Sequence, residues 1–210
     1  MNDIIINYIA KYCVNQNMNE KDFAKIYLAI KRRIHTILKK KTDKYFSLED
    51  INKLLTFFFM NGVNFDYEKW KAIYYLIYYT GISRYELLNI KRTNFDLENC
   101  SLLIEITNWR LPRTVFYPEK IRTLLIKYFN RVIEDKNAFN LTSFKMDWQT
   151  RRLKNKKINQ KQFNFNILRQ SNTGLLIRNG INKQIIRYLK YGDIEIDINL
   201  VEKEYKDKIR

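Results

Sequence analysis

Residues 166–195 read NILRQSNTGLLIRNGINKQIIRYLKYGDIE, and the pattern is helix, glycine break, helix. Asn166 is a candidate N-cap, because a short amide side chain can accept from an orphan N–H of the first turn. Gly180 is a candidate C′ residue, where the chain leaves the helix in the left-handed region. Ile167, Leu168, Asn172, Leu175, Leu176 and Asn179 fall near one face, so Leu168, Leu175 and Leu176 are expected to face a core. Ile181, Ile185, Ile186 and Leu189 make a second apolar stripe, and Arg169 sits just inside the first turn.

The same region is strongly basic. Residues 143–190 carry twelve Lys or Arg and one acid, Asp147, in a chain whose net charge is +17. A composition rich in Lys, Asn, Ile and Tyr accounts for an overall excess, but not for its uneven distribution. Residues 1–44 are +6, residues 45–142 are +2, and residues 191–210 are −2. A basic block inside a folded chain is the electrostatic footprint of a polyanion partner, of which nucleic acid is the expected class. A membrane surface fits less well, because no long apolar face lies beside the block.

Residues 166–195 resemble the second signature box of the tyrosine recombinases, the phage integrase family. Leu168, Arg169, Ser171, Leu176, Asn179, Gly180, Ile185 and Leu189 match in register, with Gly180 eleven residues past Arg169. Asn166 and Gln170 stand where the family has His, and Tyr191 or its neighbours stand at the late His. Upstream, TGISRYELLNIKRTNFDLENCSLLIEI resembles the first box through Thr80, Gly81, Glu86, Leu87, Leu88, Ile90, Phe95, Asp96 and Leu97. The family's first Arg falls on Ser83. Arg84 is one residue late, which turns it by about 100° on a helix. Ser83 with Glu86 also reads as a capping box.

The resemblance covers about residues 45–205 and implies a mainly α fold with a small β-hairpin or sheet (α+β). It also implies attack on a DNA phosphodiester by a Tyr hydroxyl, with no metal or nucleotide cofactor. Two Arg forks would clamp the nonbridging oxygens, and an acid would protonate the leaving 5′ oxygen. The candidate catalytic set is Arg84, Arg169, Asn166, Tyr191, Arg110 and, as nucleophile, Tyr205. Alignment places Asn108 at the family's general-acid Lys, and Arg110 is the nearest base, although a guanidinium is a poor acid. The family's nucleophile position lands on Leu200 or Val201, and Tyr205 is the nearest downstream Tyr. The only His is His35, so nothing in either box titrates as His does. Two functions stay open: an atypical recombinase or integrase of a mobile element, and a DNA-binding module on the same fold without strand cleavage. Partners of either are duplex DNA and further recombinase protomers.

Around the two boxes the chain reads as helices. Residues 1–44 are expected to form a short unit of two helices, the second from Glu20 to about Lys40 with a cationic end that suits either a reduced DNA clamp or the helix dipole. Residues 45–210 form the second domain. A Ser47–Asp50 cap opens one helix, closed by Asn61-Gly62, and Asp66 opens the next, which runs to Tyr79 with Trp70, Ile73, Tyr74, Ile77 and Tyr78 in its core stripe. Ser101–Thr107 and Arg113–Phe116 read as a hairpin, and Pro118 opens a helix over 119–134. Ser143 begins a short helix. Arg113, Arg151, Arg152, Lys154, Lys156, Lys157, Lys161, Arg178 and Lys183 are the candidate DNA contacts, while the cluster from Arg151 to Lys157 reads equally as a solvated loop. No apolar run is long enough to span a bilayer, and the N-terminus lacks a basic region and cleavage site. Cys13 and Cys100 stand far apart, which suggests a reducing, DNA-containing compartment such as the cytoplasm.

Overall fold

The computed structural model describes residues 45–60, 64–105, 111–132, 137–154, 157–158 and 161–209, together with Asp22, Ala24, Lys25, Leu28 and Ala29, which are helical. The chain divides into two units, Met1–Lys44 and Tyr45–Arg210. Within the first, Lys25 pairs with Asp22 across one helical turn. The rest of its expected helix, the Lys31–Lys41 cluster, His35 and Cys13 lie outside the described residues.

The second unit begins with a reciprocal cap. Ser47 N–H donates to Asp50 Oδ2 at 2.8 Å and Asp50 N–H donates to Ser47 Oγ at 3.1 Å. This opens helix α1 (Leu48–Met60), which buries Ile51, Leu54 and Leu55. Helix α2 (Asn64–Thr80) is apolar around most of its circumference, and such a helix belongs in the middle of a core. Trp70, Ala72, Ile73, Tyr74, Leu76, Ile77, Tyr78 and Tyr79 are all buried, and α2 packs against α1 and two later helices. The Tyr-rich stretch is therefore core. Tyr74 sits 5.7 Å from Trp70 and 5.5 Å from Phe163 between ring centroids, an arrangement suited to aromatic packing.

Helix α3 (Arg84–Asn89) leads through a 3-10 turn to a three-stranded antiparallel sheet, β1 (Phe95–Asp96), β2 (Ser101–Ile104) and β3 (Arg113–Phe116), in sequence order. Leu102 pairs with Val115 and Ile104 with Arg113, so the expected hairpin is present. Its connecting residues 106–110, with Asn108 and Arg110, lie outside the described residues. Pro118 is the N-cap of α4 (Glu119–Phe129), and Asn130 ends that helix. Helix α5 (Ser143–Lys154) and a two-stranded ribbon, β4 (Lys157–Ile158) with β5 (Lys161–Gln162), complete the basic block's first half.

Helix α6 (Phe165–Arg178) starts two residues earlier than the Asn166 cap predicts. Asn164 is the N-cap, its Oδ1 accepting from Asn166 N–H at 2.7 Å. The two Asn residues are both competent caps, and Phe165 decides between them by packing into the core as the first helical residue. The C-terminus is as expected. Gly180 has φ +69, its N–H donates to Ile177 O, and Ile181 N–H donates to Leu176 O, the paired bonds of a Schellman ending. Helix α7 (Lys183–Tyr191) follows, capped by Asn182 and ended by Gly192 at φ +67. A side chain at Gly192 would meet Leu111 O at 2.7 Å, so the close approach to the hairpin also demands glycine. Helix α8 (Ile198–Lys208), capped by Asp197, buries Val201 and Tyr205 and packs on β3, and Ile209 just after it is buried as well. Leu168, Leu176, Ile185 and Leu189 are buried as the sequence predicts, and Leu175 and Ile186 are partly buried against the same core.

Candidate nucleic-acid interface

The site is organised by the end of α2. The last carbonyls of a helix have no intrahelical partner and carry the negative end of its dipole. Here Asn172 and Tyr205, from α6 and α8, converge on them, and Arg169 of α6 reaches the turn that follows. Asn172 Nδ2 donates to Tyr78 O at 3.1 Å and to Tyr79 O at 2.7 Å. Tyr205 hydroxyl donates to Tyr79 O at 3.0 Å. Arg169 Nε donates to Gly81 O at 2.9 Å. Gly81 has φ +68, and a Cβ there would stand 2.7 Å from Asn172 Oδ1, so this turn admits only glycine while Asn172 holds its place. The two signature boxes thus meet directly, with half-buried Arg169 anchored against the Thr80–Arg84 turn.

The neighbouring positions are committed differently. Ser83 is the N-cap of α3 in a complete capping box: Glu86 N–H donates to Ser83 Oγ, and Ser83 N–H donates to Glu86 Oε2 at 2.6 Å. Arg84 turns onto α5, donating to Asp147 Oδ1 at 2.5 Å and to Ser143 O at 3.0 Å. The Asp147 hydrogen bond raises the Arg84 pKa, and the same bond holds the Asp147 carboxyl below its ordinary range. Both guanidinium groups border one turn, but different partners hold them. Asn166 and Gln170 are exposed on the outer face of α6. Tyr191 is 41% exposed at the end of α7, with Lys190 Nζ 5.5 Å from its ring centre.

Two of the candidate residues lie inside the core. Tyr205, the candidate nucleophile, is 1% exposed, its ring lies 6.0 Å from that of Phe116, and its hydroxyl is given to Tyr79 O. Burial, with Tyr79 and Tyr78 adding to it, pushes its pKa well above the ordinary phenol value. A phenol so placed cannot reach a phosphate, because the i, i+4 spacing of Val201 and Tyr205 turns both into the core. Arg113, a candidate DNA contact, has a fully buried side chain. Its Nη1 donates to Glu86 Oε1 at 2.7 Å and its Nε to Leu189 O at 2.9 Å, which ties β3 to α3 and α7. Its position in the strand register points it inward, so it is a strut and not a surface cation.

Arg151, Arg178 and Lys183 are exposed on α5, α6 and α7. Lys156 and the side chains of Arg152, Lys154, Lys157 and Lys161 lie outside the described residues, as does Arg110. Asn172 was visible in the sequence only as a polar residue on an apolar helical face. A buried amide must find partners, and that signal foretells its role as the cap of a second helix.

The comparisons with known proteins address the architecture. No family model matches the sequence, and no curated protein matches it either. Solved structures do match. XerA recombinase aligns over 94% of this chain and 76% of its own, with TM-score 0.57 and 18% identity. The fold is that of a tyrosine recombinase catalytic domain. The Tn1549 transposon integrase, solved in complex with circular intermediate DNA, aligns over 95% of this chain and 78% of its own, with TM-score 0.54 and 14% identity. Among the described residues, no helix is long and apolar enough to cross a membrane.

Proposed function

We propose that this chain binds double-stranded DNA through its basic block and, in the conformation described, holds it without cutting it. The observation that carries this reading is the state of the candidate nucleophile: Tyr205 is inside the core and its hydroxyl is hydrogen-bonded to Tyr79 O. The position of the family's first Arg is Ser83, whose side chain serves a helix cap. What persists is binding chemistry. Arg169 is held by the α2 end beside α6, and the block from residue 143 to 190 carries a net +11. The XerA and Tn1549 likenesses support DNA as the partner, since the latter was solved on DNA. The test is binding of a labelled duplex across a salt series, with Arg169→Ala alongside wild type. The reading expects strong salt dependence and a slope shallower by about one for the variant. Salt-independent or absent binding contradicts it.

A second reading keeps strand transfer. α8 is held over the α6–α7 turn by exposed clips: Asn182 N–H donates to Glu204 Oε1 at 2.6 Å, and Lys208 Nζ donates to Gly180 O at 2.7 Å. Undocking of α8 would release Tyr205. Its hydroxyl would then give its proton to a base and its oxygen would bond to phosphorus, while the 5′ oxygen leaves and takes a proton from an acid.

A further inference from the structure

Helix α5 has apolar residues on two opposite faces, and only one of them is core. Met146, Gln149 and Leu153 are fully buried. On the outer side, Phe144 is 75% exposed and Trp148 is 52% exposed. At i, i+4 and i+7, Phe144, Trp148 and Arg151 form one stripe. Asp147 lies within the same stripe and is neutralised by Arg84. Asp147 is also the only acid between residues 143 and 190. Lys145 and Arg151 are exposed beside the rings. Two large aromatic side chains with exposed faces, the Asp147 carboxylate paired with Arg84, and Lys145 and Arg151 exposed on the same helix call for a ligand that is anionic and offers flat apolar faces. Stacked bases within a regular duplex offer only their edges, whereas unstacked bases offer such faces next to phosphates.

We infer that the Phe144–Trp148 face of α5 is a stacking platform for unpaired or unstacked bases in DNA, with Lys145 and Arg151 gripping the adjoining backbone. This rests on the proposed DNA binding and adds a preference for distorted DNA over regular duplex. Aromatic faces accept any base, so the platform reads distortion and not sequence.

The experiment compares a fully paired duplex with the same duplex carrying a three-nucleotide single-stranded gap, using the full chain and fluorescence anisotropy. Wild type is expected to bind the gapped DNA about ten-fold or more tightly, given the usual contribution of one stacked base. Phe144→Ala and Trp148→Ala should each remove most of that preference and leave duplex affinity and its salt slope intact, and Phe144→Ala should keep the wild-type melting temperature, since its ring is 75% exposed. Trp148→Phe should retain the preference. Arg151→Gln should instead flatten the salt slope on both DNAs. Equal binding of gapped and paired DNA by wild type overturns the platform while leaving duplex binding standing, and no binding of either overturns both. If the double alanine variant keeps the gapped-DNA preference but loses self-association in sedimentation, the face is a protein-docking surface and the inference is wrong.

Discussion

Glu86→Gln should cost this protein much of its stability without touching its DNA surface. The Glu86–Arg113 pair has side chains 1% and 0% exposed, and both residues do double duty. Glu86 Oε2 also accepts from Ser83 N–H, while Arg113 Nε also serves Leu189 O, and Arg113 Nη2 is buried with no hydrogen-bond partner among the described residues. Removing one charge of a buried pair leaves the other uncompensated, at a cost of about 3–5 kcal/mol. For a unit of this size, that corresponds to a melting-temperature drop on the order of 10 °C. Glu86→Gln/Arg113→Met should recover at least half of it, because a buried pair replaced by neutral groups is often neutral in stability. The pH behaviour follows from the same pair. Burial raises the Glu86 pKa, but the Arg113 guanidinium and the Ser83 bonds outweigh it, so the folded value lies below 4.5. A carboxyl with a depressed folded pKa contributes stability above its unfolded value and loses it as pH falls through the folded one. Wild type should therefore lose stability below about pH 4.5 more steeply than the double variant. Urea unfolding followed by circular dichroism across pH reads all of this. An Arg113→Met protein that melts like wild type yet binds DNA more weakly would refute the buried-strut reading and restore Arg113 as a DNA contact.

Replacing Arg151, Arg152, Lys154, Lys156 and Lys157 by Gln should flatten the log–log salt dependence of duplex binding, which for about six neutralised phosphates has a slope on the order of −5; an unchanged slope would mark these charges as a solvated face. Leu176→Asp and Ile185→Asp should unfold the second unit, since each buries an unpaired carboxylate, whereas Arg169→Ala should stay folded with one cap bond lost; circular dichroism and thermal melts distinguish them. Tyr205→Phe should cost only about 1 kcal/mol in urea unfolding, because Tyr79 O keeps its Asn172 partner. Asn172→Ala should cost more than Tyr205→Phe, since it strips partners from both Tyr78 O and Tyr79 O, and the reverse order would contradict the capping account.

Local signals carried much of the architecture. The Gly180 ending, the Ser83–Glu86 box and the stripe of Leu168, Leu176, Ile185 and Leu189 are each decided within a few residues, so periodicity and capping chemistry read them directly. The pairings that define the site are not local. Arg113 finds Glu86 across 27 residues and Leu189 across 76, and Tyr205 reaches Tyr79 across 126. Nothing in an Arg at a strand's start distinguishes a phosphate contact from a buried strut. Likewise, a Tyr on an amphipathic C-terminal helix reads the same whether its ring faces DNA or core. Arg84 was legible as displaced from the family position, but its partner Asp147 was visible only as the lone acid in a basic block. The cap choice between Asn164 and Asn166 turned on the burial of Phe165, which is a tertiary fact.

The most direct measurement uses a nicked suicide duplex, which traps any covalent protein–DNA adduct, with binding followed in the same samples. The account predicts salt-dependent binding by wild type with no adduct near neutral pH, because the Tyr205 phenol is buried, hydrogen-bonded and held well above its ordinary pKa. An adduct from the wild-type chain that peptide mapping places on Tyr205, and that Tyr205→Phe abolishes, would contradict it.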